Sequence, residues 1–250
     1  MRKLFITLVL LATVMVAGAQ GLPFLQSYSY DVYHADSRNF DITTDDNGFV
    51  FGANFEGLLY YDQAEWRIIH TPKNTRVTSL YRDQKGTIWV GGLNYLGQVE
   101  IKNNGELGLK NAPVSNFEDV KGVVFHIWEE GNQLLIRLEK DAREENDFYY
   151  ALADGKLKKG QKRGLANELL KKKTIDIGFG MKAEATDNDG VKISVKDGEE
   201  SYSITEANGL CSNIVHNLAY NGKSALWGAT ENGIFCIYLP TAFTHATTLE

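Results

Sequence analysis

The chain has 250 residues, with 26 Lys and Arg against 32 Asp and Glu and a formal net charge of −6. An acidic balance gives no electrostatic reason to bind nucleic acid or an anionic membrane, so neither is expected as a partner. Twenty-four Gly against four Pro, with 43% hydrophobic residues, fits one all-β domain of many tight turns and not a disordered tail.

Residues 1–19 read as a secretory signal peptide: Arg2 and Lys3, an apolar run from Leu4 to Val16, then the small-x-small site Ala17-Gly18-Ala19, with cleavage expected before Gln20. The run falls short of the roughly 20 apolar residues that a membrane-spanning helix needs. No Cys follows the site to carry a lipid anchor. Export removes Arg2 and Lys3, which takes the net charge from −6 to −8. Residues 20–250 hold no second long apolar segment, so no span is expected after cleavage.

Beyond the leader the chain breaks into short β runs separated by turns. Phe40–Thr44, Phe49–Ala53, Leu58–Tyr61 and Trp66–His70 supply four strands of one antiparallel blade within residues 36–70. A second blade follows in 77–112, from Val77–Tyr81, Thr87–Gly91, Gln98–Ile101 and a weaker strand near Leu107. Val123–Trp128, Gln133–Leu138 and Phe148–Ala153 belong to a third, within 121–158. Ile175–Phe179, Lys182–Thr186, Val191–Val195 and Tyr202–Ile204 make a fourth in 174–205, and a fifth occupies 213–245. The expected fold class is therefore all-β, a β-propeller of about five four-stranded blades. Between the third and fourth, Gly164–Lys173 reads as a short helix or a surface loop. The eight basic residues from Lys156 to Lys173 read as a solvated insertion.

Three stretches repeat one pattern: Asp45-x-x-Gly48 leading to Phe51, Asp83-x-x-Gly86 leading to Trp89, and an Asn221-Gly222 turn leading to Trp227, each with a small residue (Ala53, Gly91, Ala229) two positions on. Asp or Asn caps its own backbone in such a turn and Gly takes the positive φ. The aromatic is expected to fill the gap between blades, and the small residue to let neighbouring strands approach. These are packing roles, so Trp89 and Trp227 are read as core.

The loops joining second and third strands fall on the opposite face from the Asp-x-x-Gly turns. Their polar residues vary between repeats, as loops that carry function do. Asn54 and Glu56, Asn94 and Tyr95, and Glu231 and Asn232 are accordingly the candidate ligand-binding residues.

Other chemistries have weaker support. Asp187-Asn-Asp189-Gly190 resembles part of a calcium loop, but Ala185 stands where an oxygen ligand is needed. Five scattered His and two Cys form no pair at metal-ligand spacing, so no metal and no cofactor are expected. The carboxylate pairs Glu129-Glu130 and Glu144-Glu145 lie side by side on hydrophilic turns, where a glycosidase would face two across a cleft. A catalytic role is not expected. Cys211 and Cys236 could pair in an oxidising compartment or remain two thiols.

The repeat Asp-x-x-Gly-x-φ-Trp-x-Gly, preceded by Val77-Thr-Ser-Leu-Tyr-Arg82, resembles that of the two-component regulator propellers. The opening from Gly21 to Tyr33, together with Gly57-Leu-Leu-Tyr-Tyr-Asp-Gln-Ala-Glu-Trp66, is similar to the start of the triple-tyrosine-motif sensors of Bacteroidetes. The resemblance implies a periplasmic, non-enzymatic sensor with an oligosaccharide or polysaccharide fragment as ligand, and partnership with a second copy or with other propeller domains. It also implies a seven-bladed ring, of which five blades would be an incomplete part ending before the membrane helix and output domain. A free-standing glycan-binding or protein-interaction propeller is the alternative, and a secreted carbohydrate-active enzyme is a third class. No terminal strand is visible to close the ring after the fifth blade.

Overall fold

The computed structural model describes residues 23–120, 122–139, 148–161, 173–195 and 200–239. The signal-peptide expectation and nearly all of the expected 164–173 helix or loop lie outside the described residues. The described chain forms five four-stranded antiparallel sheets. Strands β2 (Asn39–Thr44), β3 (Val50–Asn54), β4 (Gly57–Tyr61) and β5 (Trp66–Ile69) make blade 1. Blade 2 is β6 (Val77–Arg82), β7 (Ile88–Gly92), β8 (Tyr95–Ile101) and β9 (Leu107–Asn111). Blade 3 is β10 (Val123–Glu130), β11 (Gln133–Glu139), β12 (Phe148–Ala153) and β13 (Lys156–Gln161), so the start of the Lys-rich run is its outermost strand and not an insertion. Blade 4 is β14 (Thr174–Gly178), β15 (Met181–Ala185), β16 (Val191–Val195) and β17 (Glu200–Ile204).

Blade 5 corrects the expectation of an unclosed end. Its strands β18 (Val215–Tyr220), β19 (Ala225–Thr230) and β20 (Gly233–Tyr238) are completed by β1 (Phe24–Tyr28), which pairs antiparallel with β20 from Phe24↔Tyr238 to Tyr28↔Ile234. A single turn of helix, α1 (Tyr30–Tyr33), leads from β1 to blade 1. Tyr28 is buried against Trp227 (5.7 Å between ring centroids), Trp66 (5.5 Å) and Tyr61 (5.9 Å), so an aromatic cluster holds the first strand to blades 5 and 1 together.

The core lies between blades. Phe51 packs with Val77 and Val90, Trp89 with Val124 and Ile127, and Trp227 with Ile42 and Leu59, so each repeat aromatic fills the gap to the next blade. The small partner matters for the reason expected: a Cβ added at Gly91 would collide with the side chain of Val124 in blade 3. Among the first strands, β14 touches β18, β18 touches β2, β2 touches β6, and β6 touches β10. Between β10 and β14 the described residues show no comparable contact. Blade 4 turns Ile177, Ala183 and Ile193 toward blade 5, while Asp176, Lys182, Glu184 and Lys192 stand exposed on its other face, with Asp176 opposite Lys182 and Glu184 opposite Lys192. That second face is written for water.

Candidate functional site

Four first strands share one irregularity. The register skips a residue between Asn39 and Asp41, Val77 and Ser79, Val124 and His126, and Val215 and Asn217, near the second-to-third-strand turns. A bulge leaves its extra residue unpaired and re-aims the side chain. The skipped residues are Phe40, Thr78, Phe125 and His216. Phe125 is exposed, and Thr78 donates its hydroxyl to the Val124 carbonyl of the next blade at 2.8 Å.

At the seam of blades 5 and 1 the bulges meet a turn. The Phe40 ring lies 6.5 Å from Phe55 and 6.3 Å from His216. The Arg38 guanidinium stacks over Phe55 at 3.9 Å. Asp36 holds that guanidinium from the side, accepting from Nε at 2.9 Å and from a terminal nitrogen at 3.0 Å. Those hydrogen bonds hold the Asp36 carboxyl below its ordinary range. His216 Nε2 sits 3.0 Å from Glu231 Oε2. Nearby, Lys173 donates to Asp187 at 2.6 Å and lowers its carboxyl, with a smaller contribution from His216. Side chains here remain open to solvent, Arg38 at 40% and Glu231 at 45%. Two ring faces, a stacked guanidinium and carboxylates that are already oriented make a surface able to stack on an apolar ring face and to exchange hydrogen bonds with hydroxyls.

The residues expected from sequence divide three ways. Glu231 belongs to this cluster, and Glu56 is exposed in the turn that carries Phe55. Asn54 does not lie on the open face: it is fully buried at the end of β3, its amide donating to the carbonyls of Asp36 (2.6 Å) and Arg38 (3.1 Å) and to Asn39 Oδ1 (2.9 Å), its Oδ1 accepting the Glu56 N–H (2.9 Å). Tyr95 is likewise buried in β8, with its hydroxyl on the Lys110 carbonyl at 3.3 Å. With Asn94, whose N–H reaches the Gly122 carbonyl at 2.8 Å, it borders a separate cavity of about 270 Å³ that also takes in Pro72 and Phe117. Asn232 is exposed and spends its N–H on Thr230 Oγ1 at 3.1 Å. Sequence reasoning missed Arg38, Phe40 and His216. The signal that could have found them is the bulge, which repeats at one strand position but leaves no mark in composition.

Local structure bears on two further readings, a turn at Asp187–Asp189 and the open alternatives for the two Cys. Asp187–Asp189 is a turn, closed by Thr186 Oγ1 on the Gly190 carbonyl at 2.8 Å. Cys211 and Cys236 are both free thiols, Cys211 within 3.4 Å of Thr230 Oγ1 and Cys236 buried in β20.

A search of curated proteins finds no match. Among solved structures, the extracellular domain of the B. thetaiotaomicron one component system BT4673 aligns at 18% identity and a TM-score of 0.39, over 82% of this chain and 28% of that one. Virginiamycin B lyase from Staphylococcus aureus aligns at 14% identity and a TM-score of 0.39, over 88% and 75%. The gluconolactonase XC5397 from Xanthomonas campestris aligns at 9% identity and a TM-score of 0.56, over 88% and 90%, a likeness of fold. The chain thus spans under a third of the BT4673 extracellular chain. The family model described as two component regulator propeller matches residues 71–94, which hold β6, β7 and the turn reaching Asn94. That repeat, the one singled out in the sequence around Asp83 and Trp89, is a regulator-propeller repeat, and the resemblance read from the residues is to the same family.

Proposed function

We propose that this propeller is the ligand-sensing part of a periplasmic signalling receptor, that it binds without catalysis, and that its ligand is an oligosaccharide held at the seam of blades 5 and 1. The observation that carries the reading is the cluster of Arg38, Phe40, Phe55, His216 and Glu231, contributed by two blades, in which a guanidinium stacks on one of two half-buried rings beside a solvent-open carboxylate. The Arg38 charge is paired with Asp36, and Glu231 is engaged by the His216 ring, which suits a polyhydroxyl ligand that exchanges hydrogen bonds with oriented groups. The regulator-propeller repeat supports the signalling half of the proposal, with membrane helix and output domain supplied outside residues 20–250. A second copy or further propeller domains are the partners this plan would use. Titration calorimetry against a panel of oligosaccharides tests it. Binding by the wild type, weakened about tenfold or more in Arg38→Ala and Phe55→Ala, is the expected result. Absence of binding to every member, or equal binding by both variants, sinks it.

A further inference from the structure

One buried carboxylate touches three blades. Asp41, the residue after the Phe40 bulge in β2, accepts the Leu80 N–H of β6 at 2.7 Å through Oδ2, and the Ile42 N–H at 2.8 Å and the Asn217 side-chain amide of β18 through Oδ1. Asn217 occupies the equivalent position in blade 5, directly after the His216 bulge, and its own Oδ1 accepts the Leu218 N–H at 2.9 Å. The bulged residues in front of this pair, Phe40 and His216, face each other in the candidate site.

We infer that Asp41 and Asn217 form an axial tie that fixes Phe40 against His216, so that the geometry of the candidate site follows the ionisation of Asp41. The ionised carboxylate takes all three hydrogen bonds as charge-assisted bonds, and a proton on either oxygen weakens them. Burial raises the Asp41 carboxyl to about 6, against the pull of Leu80, Asn217 and Ile42. Its surroundings are uncharged: β6 presents Ser79 and Leu80, β3 places Ala53 opposite it, and β18 presents Asn217. The titratable side chains of the adjoining candidate site are His216, bonded to Glu231, and the Arg38–Asp36 pair. The tie is independent of any ligand, whereas its bearing on recognition rests on the site proposed above.

Carbon-13 NMR of protein labelled at Asp carboxyl and Phe ring carbons, titrated from about pH 4 to pH 8, reads the tie without a ligand. The Asp41 carboxyl and the Phe40 ring are expected to shift with one common midpoint, and Phe40 to keep that midpoint in His216→Gln. Asp41→Asn should flatten the Phe40 response. Asn217→Ala removes one donor to the carboxylate and should move the midpoint up by about one pH unit, which decides the matter even where Asp41→Asn does not fold. A flat Phe40 ring in the wild type, a response that survives Asp41→Asn or disappears with His216→Gln, or an unmoved midpoint in Asn217→Ala overturns the inference. Failure of the oligosaccharide panel would remove the proposed ligand and leave this titration unaffected.

Discussion

Asn54 shows how a single residue can look like surface and act as core. It ends a strand beside the exposed turn Phe55-Glu56, and nothing local distinguishes it from a turn asparagine. Its acceptors come from residues 36–39, a segment brought alongside only when β2 pairs with β3. Asn54→Ala removes the side-chain partner of the Asp36 carbonyl, of buried Asn39 Oδ1 and of the Glu56 N–H, and should cost about 1–3 kcal/mol in urea denaturation. Asp41 is inconspicuous in the sequence for the same reason, since its partners Leu80 and Asn217 lie in other blades. Its titration runs against the usual acidic trend. The folded carboxyl, raised from 3.8 to about 6, holds its proton more tightly than the unfolded one, so its contribution to stability is present at low pH and lost as pH rises through that window. Relative to Asp41→Asn, the wild type should therefore lose Tm between about pH 4 and pH 7, as scanning calorimetry of both would show.

At the scale of elements, what the sequence displays is strand existence, because apolar alternation between Asp/Asn-Gly turns is a local property. Pairing partners are not local. Phe24–Tyr28 is a short, mostly exposed strand whose local pattern fits any free sheet edge, and its choice of β20 is fixed by Tyr28 entering the aromatic cluster of Trp66, Tyr61 and Trp227. Tyr28→Ala should cost about 3 kcal/mol or more, with a change in Trp fluorescence because two of the four Trp lie in that cluster. β13 was hidden for the opposite reason. Lys156, Lys158 and Lys159 make it look like a solvated tract, yet Lys on an outermost strand is the ordinary guard against pairing with another chain.

Across the whole molecule, the repeat count announces five blades but is silent on how they are joined. First-strand packing runs without interruption from blade 4 through blades 5, 1 and 2 to blade 3, and lapses between blades 3 and 4 among the described residues. Among the described residues just one face of blade 4 meets a neighbouring blade, and its other face carries cross-strand charges in place of an aromatic-and-small pairing. Lys192→Ala on that face should change stability by no more than about 0.5 kcal/mol, while the adjacent Ile193→Ala, fully buried toward blade 5, should cost about 2–5 kcal/mol in the same denaturation series. The pairing of β1 with β20 also carries a kinetic consequence. It joins two of the most distant described segments in the chain, so the strand made earliest is among the last to be placed, and a contact of that sequence separation closes only after a large loop has been ordered. Transferring Phe24–Tyr28 to follow Tyr238 through a tight hairpin would make the same pairing local, and stopped-flow refolding should then accelerate while the unfolding rate changes little.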